Sequence, residues 1–186
     1  MKVIFLDRDG VINKEPGPGA YVRSWAEFDF LPKAKPALKR LNDNGFEVVI
    51  ISNQAGVAKG LYSRVDLERI TENMLKELNE SKITIRDVYY CMHQADDNCG
   101  CRKPKIGMIE QAVSKLNQGN FSFSLPECYF VGDTIRDIIT GKNAGLRTIL
   151  VFSGKEKPEN KNRWQVLPDF TATDLSEAVD LVLKSQ

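Results

Sequence analysis

Short runs of apolar residues alternate along this chain with longer segments in which apolar positions recur every three or four residues. Short apolar runs are typical of buried strands, and the longer pattern is typical of helices that bury one face. The runs predict five strands, at residues 2–6, 46–52, 88–91, 128–132 and 147–152. The repeating segments predict helices at residues 34–45, 63–81, 105–119, 137–145 and 174–185.

Residues at the ends of these segments support the assignments. Gly45 follows the first predicted helix as a stop signal, and Ser63 is a suitable N-cap for the second. The polar stretch 154–164 lacks either apolar pattern and predicts an exposed loop.

The alternation of strands and helices predicts an α/β fold, with a Rossmann-like, mostly parallel sheet and helices on both faces. A chain of 186 residues can bury one sizeable core, so we expect residues 1–186 to form a single domain without a large cap domain. Ligands of such sheets bind beyond the carboxyl ends of the strands. We expect three short loops to cover that edge, at residues 13–31, 54–62 and 91–104.

Composition narrows the class of protein. The chain is 42% hydrophobic and 27% charged, with a net charge of +1, which argues against a broad nucleic-acid-binding surface. No apolar stretch approaches the ~20 residues of a membrane span, and the N-terminal apolar run is too short for a signal peptide. We therefore expect a cytoplasmic monomer without nucleic-acid or membrane partners, whose thiols stay reduced.

Chemically active residues follow four of the predicted strands. Because the strands are expected to be parallel, their carboxyl ends should bring these residues to one edge of the sheet. The set combines carboxylates, hydroxyls, amides and one lysine: Asp7, Asp9, Ser52, Asn53, Gln54, Lys103, Asp133, Thr134 and Asp137.

This inventory suits phosphoryl transfer from a small phosphorylated metabolite. One carboxylate can act as a nucleophile, and a second, two residues further along an extended chain, points the same way and can give and take a proton. Oxygen ligands can hold Mg²⁺, while a lysine and a hydroxyl can stabilise the charge on the transferring group.

The segments FLDRDG, SNQ, RKP and GDTIRD resemble the four motifs of the haloacid dehalogenase superfamily of phosphatases, over residues 3–137. The resemblance implies that Asp7 is the nucleophile and Asp9 the general acid and base. It implies that Ser52 and Lys103 stabilise the transferring phosphoryl group.

The same resemblance implies a Mg²⁺ site formed by the Asp7 side chain, the Asp9 backbone carbonyl and Asp133. Asp137 matches the second acid of the last motif, and we expect it to support the site without binding the metal directly. Val11 departs from the pattern, because the superfamily usually has threonine at this position.

Each motif taken alone is weak. The pattern DxDG is common in turns and calcium loops, Ser52-Asn53 could be an ordinary strand exit, and a single lysine such as Lys103 is usually solvated. Two other classes of function stay open on the residues: a polynucleotide 3′-phosphatase, which needs a basic groove, and a non-catalytic binding module stabilised by zinc. The joint occurrence of the motifs, each after a predicted strand, favours the phosphatase.

Four metal-type ligands lie within eleven residues: Cys91, His93, Cys99 and Cys101. This set is typical of a closed, structural zinc site. The alternatives are a core cysteine followed by solvated loop thiols, and a disulfide, which a reducing compartment disfavours. Cys128 lies in an apolar run and is assigned to the core. Because the loop has few apolar residues, zinc could fix it and so hold Arg102 and Lys103 in place.

Within the superfamily, a zinc loop directly before CRKP resembles two related groups of phosphatases, one for a heptose bisphosphate and one for histidinol phosphate. Residues 28–32, 53–60 and 89–93 are more similar to the first group. Glu15-Pro16 is similar to the second, in which a carboxylate could pair with the amine of the substrate.

The resemblance to the heptose group implies a set of substrate contacts beyond the catalytic residues. Arg102 is expected to recognise a second, non-reacting phosphate, although it could instead neutralise the zinc-thiolate cluster. The expected contacts are Arg8, Glu15, Tyr21, Asn53, Gln54, Ala55, Arg102 and Thr134.

Overall fold

The computed structural model describes residues 1–118 and 124–185. The strands are β1 (Lys2–Leu6), β2 (Phe46–Asn53), β3 (Asp87–Cys91), β4 (Tyr129–Gly132), β5 (Arg147–Val151) and β6 (Phe170–Ala172). The helices are α1 (Ala34–Asp43), α2 (Arg64–Glu80), α3 (Gly107–Asn117), α4 (Ile135–Asn143) and α5 (Leu175–Lys184). Within the described residues the strands form one sheet in the order β3-β2-β1-β4-β5-β6, and every pair of neighbours is parallel.

The five predicted strands are confirmed to within one residue at each end. Strand β6 was not predicted, because three residues are too few to show a strand pattern. Helix α4 begins two residues earlier than predicted, since Thr134 is its N-cap and Asp137 completes a capping box. The helix predicted at 105–119 is α3, and Gly119 at its predicted end lies outside the described residues.

Helices cover both faces of the sheet, because successive strand residues point to opposite sides. Ile4 and Ile50 belong to a core formed with α1, α2 and α5, whereas Phe5 and Ile51 belong to a second core formed with α3. Gly141 of α4 lies directly against Phe130 of this second core. The strands are almost continuously apolar because both faces of the sheet are buried.

Residues 54–86, all of which the structure describes, connect β2 to β3 through one α-helix, α2, and a loop on each side of it, so this connection contains no large cap. Among the described helices, none combines the length and the hydrophobicity that crossing a lipid bilayer requires.

Candidate active site

Three buried carboxylates meet at the carboxyl ends of the two central strands. Asp7 directly follows β1, Asp133 directly follows β4, and Asp137 lies in the first turn of α4. One oxygen from each of them lies within 4.8 Å of the others. Hard oxygen donors gathered in this way suit Mg²⁺, which is commonly held by carboxylates together with substrate phosphate oxygens.

Lys103 is the buried cation of this cluster. Its ammonium lies 3.0 Å from Asp7 Oδ2 and 2.6 Å from Asp137 Oδ1, and it donates to the Ile51 carbonyl at 3.0 Å. Asn53 fixes the lysine backbone on both sides, because it accepts from the Lys103 N–H at 3.1 Å and donates to the Lys103 carbonyl at 3.2 Å. Lys103 is therefore held rigidly beside Asp7 and has little freedom to reach bulk solvent.

Burial dominates the electrostatics of the acids. It raises the pKa of Asp7 to about 6, against the lowering effect of Lys103 and with a further raising effect of Asp137. Burial also raises the pKa of Asp133 well above its usual value, assisted by repulsion from Asp137 and Asp7. A divalent cation among these oxygens would favour the ionised forms, so the carboxylate set fits a metal site.

Asp9 faces the same site but has different partners. Burial tends to raise its pKa, but the Arg8 guanidinium and the side-chain amides of Asn13 and Gln54 lower it below the usual value. Asn13 Nδ2 and Gln54 Nε2 each donate to Asp9 at 2.8 Å. Tyr62 in turn donates to Gln54 Oε1 at 2.6 Å, so a buried network orients this carboxylate.

These groups line a cavity of about 80 Å³, which we call the inner cavity. Nine of the residues that we predicted for catalysis, magnesium binding or substrate contact line it, together with Asp137. Its lining includes Asp7, Asp9, Glu15, Tyr21, Ser52, Asn53, Lys103, Asp133, Thr134 and Asp137, and also Pro16, Ala20, Arg136 and Lys155.

Arg8 is an exception, because its side chain does not line the inner cavity, and its contact with substrate stays a prediction. It is fully buried, and its NH2 lies 3.0 Å from each oxygen of Asp9. The guanidinium also stands over the rings of Phe28 and Tyr90, at 5.9 and 5.7 Å from their centroids. The reason is the alternation of an extended chain, which turns Arg8 away from the side shared by Asp7 and Asp9.

Three other expected contacts lie outside the lining of the inner cavity. Gln54 is buried behind Asp9, and Ala55 is 3% exposed. Arg102 donates from NH1 to the His93 carbonyl at 3.1 Å, and so it closes the cysteine-containing loop on itself. The structure thus brings Lys103 to the acids but leaves Arg102 on the loop.

The three loops that we expected to cover the site contact one another. The ring centroid of Tyr21 in the first loop lies 6.2 Å from that of Tyr62 at the end of the second. Gln94 of the third loop donates to the Ala58 carbonyl of the second at 3.3 Å. Phe28, by contrast, is 6% exposed and packs in the core, so it anchors the first loop to the body of the protein.

A fourth loop, which follows β5, was predicted only as exposed and contributes to the site through its backbone. The N–H of Lys155 donates to Asp133 Oδ2 at 2.9 Å, and Ser153 Oγ donates to the Gly10 carbonyl at 2.7 Å. The Lys155 side chain pairs with Glu15 Oε1 at 3.1 Å across the cavity. Backbone donors carry no sequence signature, and this explains why the loop was missed.

The four ligand-type residues of the third loop form a compact cluster. The Cys101 sulfur lies 3.2 Å from the Cys91 sulfur, 3.5 Å from the Cys99 sulfur and 3.3 Å from His93 Nδ1. A tetrahedral zinc site with Zn–S bonds of about 2.3 Å has ligand–ligand edges of roughly 3.7 Å. The cluster therefore has the size of a zinc site, while Cys128 stays in the core as predicted and all four cysteines are free thiols.

Comparisons with known proteins agree with this geometry. A family model described as HAD-hydrolase-like matches residues 100–178. The D-glycero-D-manno-heptose-1,7-bisphosphate 7-phosphatase of Chlorobaculum tepidum is 36% identical over 185 residues, which cover 96% of this chain and 92% of the relative. The D-glycero-alpha-D-manno-heptose-1,7-bisphosphate 7-phosphatase of Photorhabdus laumondii is 39% identical over 167 residues, which cover 86% of this chain and 87% of the relative.

Among solved structures, the D,D-heptose 1,7-bisphosphate phosphatase of B. bronchiseptica, complexed with magnesium and phosphate, superimposes with a TM-score of 0.88. It is 31% identical, and the match covers 100% of both chains. The haloacid dehalogenase resemblance of the four motifs is thereby confirmed. With its parallel sheet, its strand-end acids and its relatives along nearly the whole length, the chain belongs to the haloacid dehalogenase superfamily, in the family of the heptose bisphosphate phosphatases.

Proposed function

We propose that this chain is a Mg²⁺-dependent phosphatase that hydrolyses the 7-phosphate of D-glycero-D-manno-heptose 1,7-bisphosphate. The observation that carries the proposal is the contact between Asp7 and Lys103 at the floor of a cavity that also contains Asp133 and Ser52. Its relatives of 30–39% identity are named for this activity.

In this proposal the Asp7 carboxylate attacks phosphorus and forms an aspartyl-phosphate, with release of the sugar hydroxyl. Lys103 and the Ser52 hydroxyl stabilise charge on the phosphoryl oxygens, and their burial strengthens that interaction. Asp7, Asp133 and the backbone carbonyl of Asp9 would hold Mg²⁺, which supplies further neutralisation of the phosphoryl charge when bound.

Asp9 transfers the proton in both half-reactions. It protonates the leaving oxygen of the sugar, and then it takes a proton from the water that hydrolyses the aspartyl-phosphate. The partners of Asp9 favour its ionised form, which suits the second half-reaction. For the first half-reaction the carboxyl must be protonated, so substrate has to weaken the contacts with Arg8, Asn13 or Gln54.

Glu15 favours the sugar bisphosphate over histidinol phosphate. A pocket for histidinol phosphate needs a carboxylate that is available to the substrate amine. Here Glu15 Oε1 pairs with Lys155 at 3.1 Å, and Glu15 Oε2 accepts from the Gly17 N–H at 2.8 Å. The Lys155 ammonium thus already occupies the position at Glu15 that the amine of histidinol phosphate would need.

The cysteine cluster completes the proposal as a structural zinc site, with ligands Cys91, His93, Cys99 and Cys101. A set of four protein ligands leaves no open position for a substrate. The metal would instead fix the loop that carries Lys103, in an enzyme that acts in the cytoplasm on a small phosphosugar.

The test is phosphate release by the purified chain with Mg²⁺, comparing heptose 1,7-bisphosphate with histidinol phosphate. We expect a strong preference for the bisphosphate. The variant Asp7→Asn should lose at least 10³-fold in kcat, because the amide is not a nucleophile, while its fold is unchanged by circular dichroism. A preference for histidinol phosphate, or turnover by Asp7→Asn at the wild-type rate, would contradict the proposal.

A further inference from the structure

The acid step of the proposed reaction depends on the atoms that surround the Asp9 carboxyl. A protonated carboxyl donates through its O–H, and any acceptor among its neighbours would compete with the leaving oxygen for that proton. In the described residues, the side chains of Arg8, Asn13 and Gln54 hydrogen-bond to Asp9, and all three present N–H groups to it. On the protein side, the neighbours of this carboxyl are therefore donors.

Two of these three side chains have no way to become acceptors. A guanidinium has no acceptor atom, so Arg8 can only donate. The amide of Asn13 has a fixed orientation, because Nδ2 also donates to the Lys14 carbonyl at 3.0 Å. A reversed amide would place Asn13 Oδ1 against that carbonyl oxygen, where the two acceptors repel each other.

Gln54 differs, because protonated Asp9 and Ser52 would accommodate its amide in either orientation. Gln54 Nε2 lies 2.8 Å from Asp9 Oδ2 and 3.2 Å from the Ser52 hydroxyl, which can donate as well as accept. With the amide reversed, Oε1 would face Asp9 and accept the proton that the leaving oxygen needs. The orientation of this amide therefore depends on its third neighbour.

Tyr62 is the third neighbour of the Gln54 amide, and it stabilises the observed orientation. Its hydroxyl donates to Gln54 Oε1 at 2.6 Å, and both side chains are buried. Among the described residues, the Gln54 carbonyl is the one acceptor that this hydroxyl has. Reversal of the amide would leave the phenol proton buried without an acceptor, which is costly. Burial also raises the pKa of Tyr62 above its ordinary value, so the hydroxyl keeps this proton.

The ring of Tyr62 is fixed by the segments around it. A Cβ atom at Gly56 would lie 2.2 Å from Tyr62 Cε1, so the backbone of the second loop packs directly on the ring. The Tyr21 ring of the first loop lies beside it, and Ser63 begins α2 with a capping box immediately after Tyr62. The hydroxyl thus has little freedom to move.

We propose that Tyr62 is a positioning residue, which holds Gln54 as a donor and so directs the Asp9 proton to the leaving oxygen. This role rests on the proposed function, in which Asp9 is the acid. Tyr62 does not line the inner cavity, so it acts through Gln54 rather than on the substrate. The same amide donates to Ser52 Oγ, so the Ser52 hydroxyl proton stays available for a phosphoryl oxygen.

The experiment compares kcat/KM of the wild-type enzyme and of Tyr62→Phe on two substrates, heptose 1,7-bisphosphate and p-nitrophenyl phosphate. This constant reports the first half-reaction, in which the sugar oxygen needs a proton from Asp9 and nitrophenolate does not. For the bisphosphate we expect a loss of about 10- to 100-fold, part of the roughly 10²–10⁴-fold that general acid–base catalysis supplies. For p-nitrophenyl phosphate the constant should stay within about threefold.

Tyr89→Phe is the matched control. The Tyr89 hydroxyl donates to Asp87 Oδ2 at 2.9 Å, and the residue does not line the inner cavity. This variant should stay within about threefold of the wild type on both substrates. In a Gln54→Leu background, Tyr62→Phe should cause no further loss on the bisphosphate, because the amide that Tyr62 positions is gone.

The pattern of losses decides whether Tyr62 has this role. An equal loss on both substrates, or no loss on either, in Tyr62→Phe that is folded by circular dichroism would show that Tyr62 does not direct the proton, while the proposed function stands. If the wild type does not hydrolyse the bisphosphate, the proposed function has failed. The same comparison on an alkyl phosphate that the enzyme does hydrolyse then decides the role of Tyr62.

Discussion

Lys155 donates its backbone N–H to Asp133 Oδ2 at 2.9 Å, so the loop after β5 positions an acid that follows β4. The preceding residue, Gly154, makes this possible. A Cβ atom at Gly154 would lie 2.0 Å from Asp133 Oδ2, a distance that no side chain tolerates. Only glycine lets the loop approach the carboxylate so closely.

We therefore predict that Gly154→Ala displaces Asp133 and weakens Mg²⁺ binding. The Mg²⁺ concentration for half-maximal activity should rise at least tenfold, as measured by titration of the metal-free enzyme. Gly100→Ala is a matched control, because a Cβ there meets nothing within 4 Å. An unchanged Mg²⁺ requirement in Gly154→Ala would show that Asp133 does not bind the metal.

Arg8 and Asp9 form an ion pair in which the guanidinium is fully buried. Replacement of Arg8 by methionine keeps most of the volume but leaves Asp9 without its cation. We expect the free energy of unfolding to fall by about 2–4 kcal/mol, somewhat less than for a wholly buried pair, because Asp9 is partly exposed. Urea unfolding measures this change.

A double-mutant cycle provides the control for Arg8. In the Asp9→Asn background, Arg8→Met should lower the free energy of unfolding by less than in the wild type, because no unpaired carboxylate remains at position 9. Additive losses would mean that Arg8 stabilises the core only through packing against Phe28 and Tyr90.

From the geometry of the cysteine cluster we predict that each chain binds one zinc ion, which elemental analysis can detect. Cys101→Ala should lose the zinc and at least tenfold in kcat, because Lys103 lies two residues further along the same loop. Cys128→Ala should retain the zinc, since Cys128 lies in the core apart from the cluster. A zinc-free Cys101→Ala enzyme with full activity would show that the metal does not position Lys103.

The ionisation of Asp169 should make the stability of the folded protein depend on pH. Burial tends to raise its pKa, but the ion pair with Lys142 and the hydrogen bonds from Thr148 lower it below the usual value. Because its pKa is lower in the folded state, Asp169 stabilises the protein above the ordinary aspartate pKa of about 3.9, and this contribution is lost as pH falls through the folded value.

Asp169→Asn should accordingly lower Tm by about 2–4 °C at pH 7, as expected for roughly 1 kcal/mol in a chain of this size. The difference from the wild type should shrink when the pH falls below about 4. Asp29→Asn is a control on an exposed ion pair with Lys14 and should change Tm by less than about 1 °C. A constant difference at every pH would exclude an electrostatic origin.

The sequence predicted the parts of the fold that depend on apolar patterning. The central strands are buried on both faces, so their apolar runs are easy to recognise, and the place of the clustered acids follows from their position after those strands. Asp7 and Asp9 on one side of an extended chain already require the Arg8 side chain to face the other side, where it lies buried.

What the sequence did not show depends on backbone geometry and on contacts between distant segments. The Lys155 N–H that reaches Asp133 leaves no trace in residue types, and the pairing of Lys155 with Glu15 joins two loops that no local pattern connects.

The contacts of Lys103 have a consequence for the order of assembly. Its ammonium joins the end of β1 through Asp7, the end of β2 through Ile51 and the start of α4 through Asp137. These segments are remote in sequence, and such long-range contacts form late and slowly during folding. During refolding, the helical circular dichroism signal should therefore return before the enzymatic activity does. The time at which activity returns then reports when the strand ends come together around Lys103.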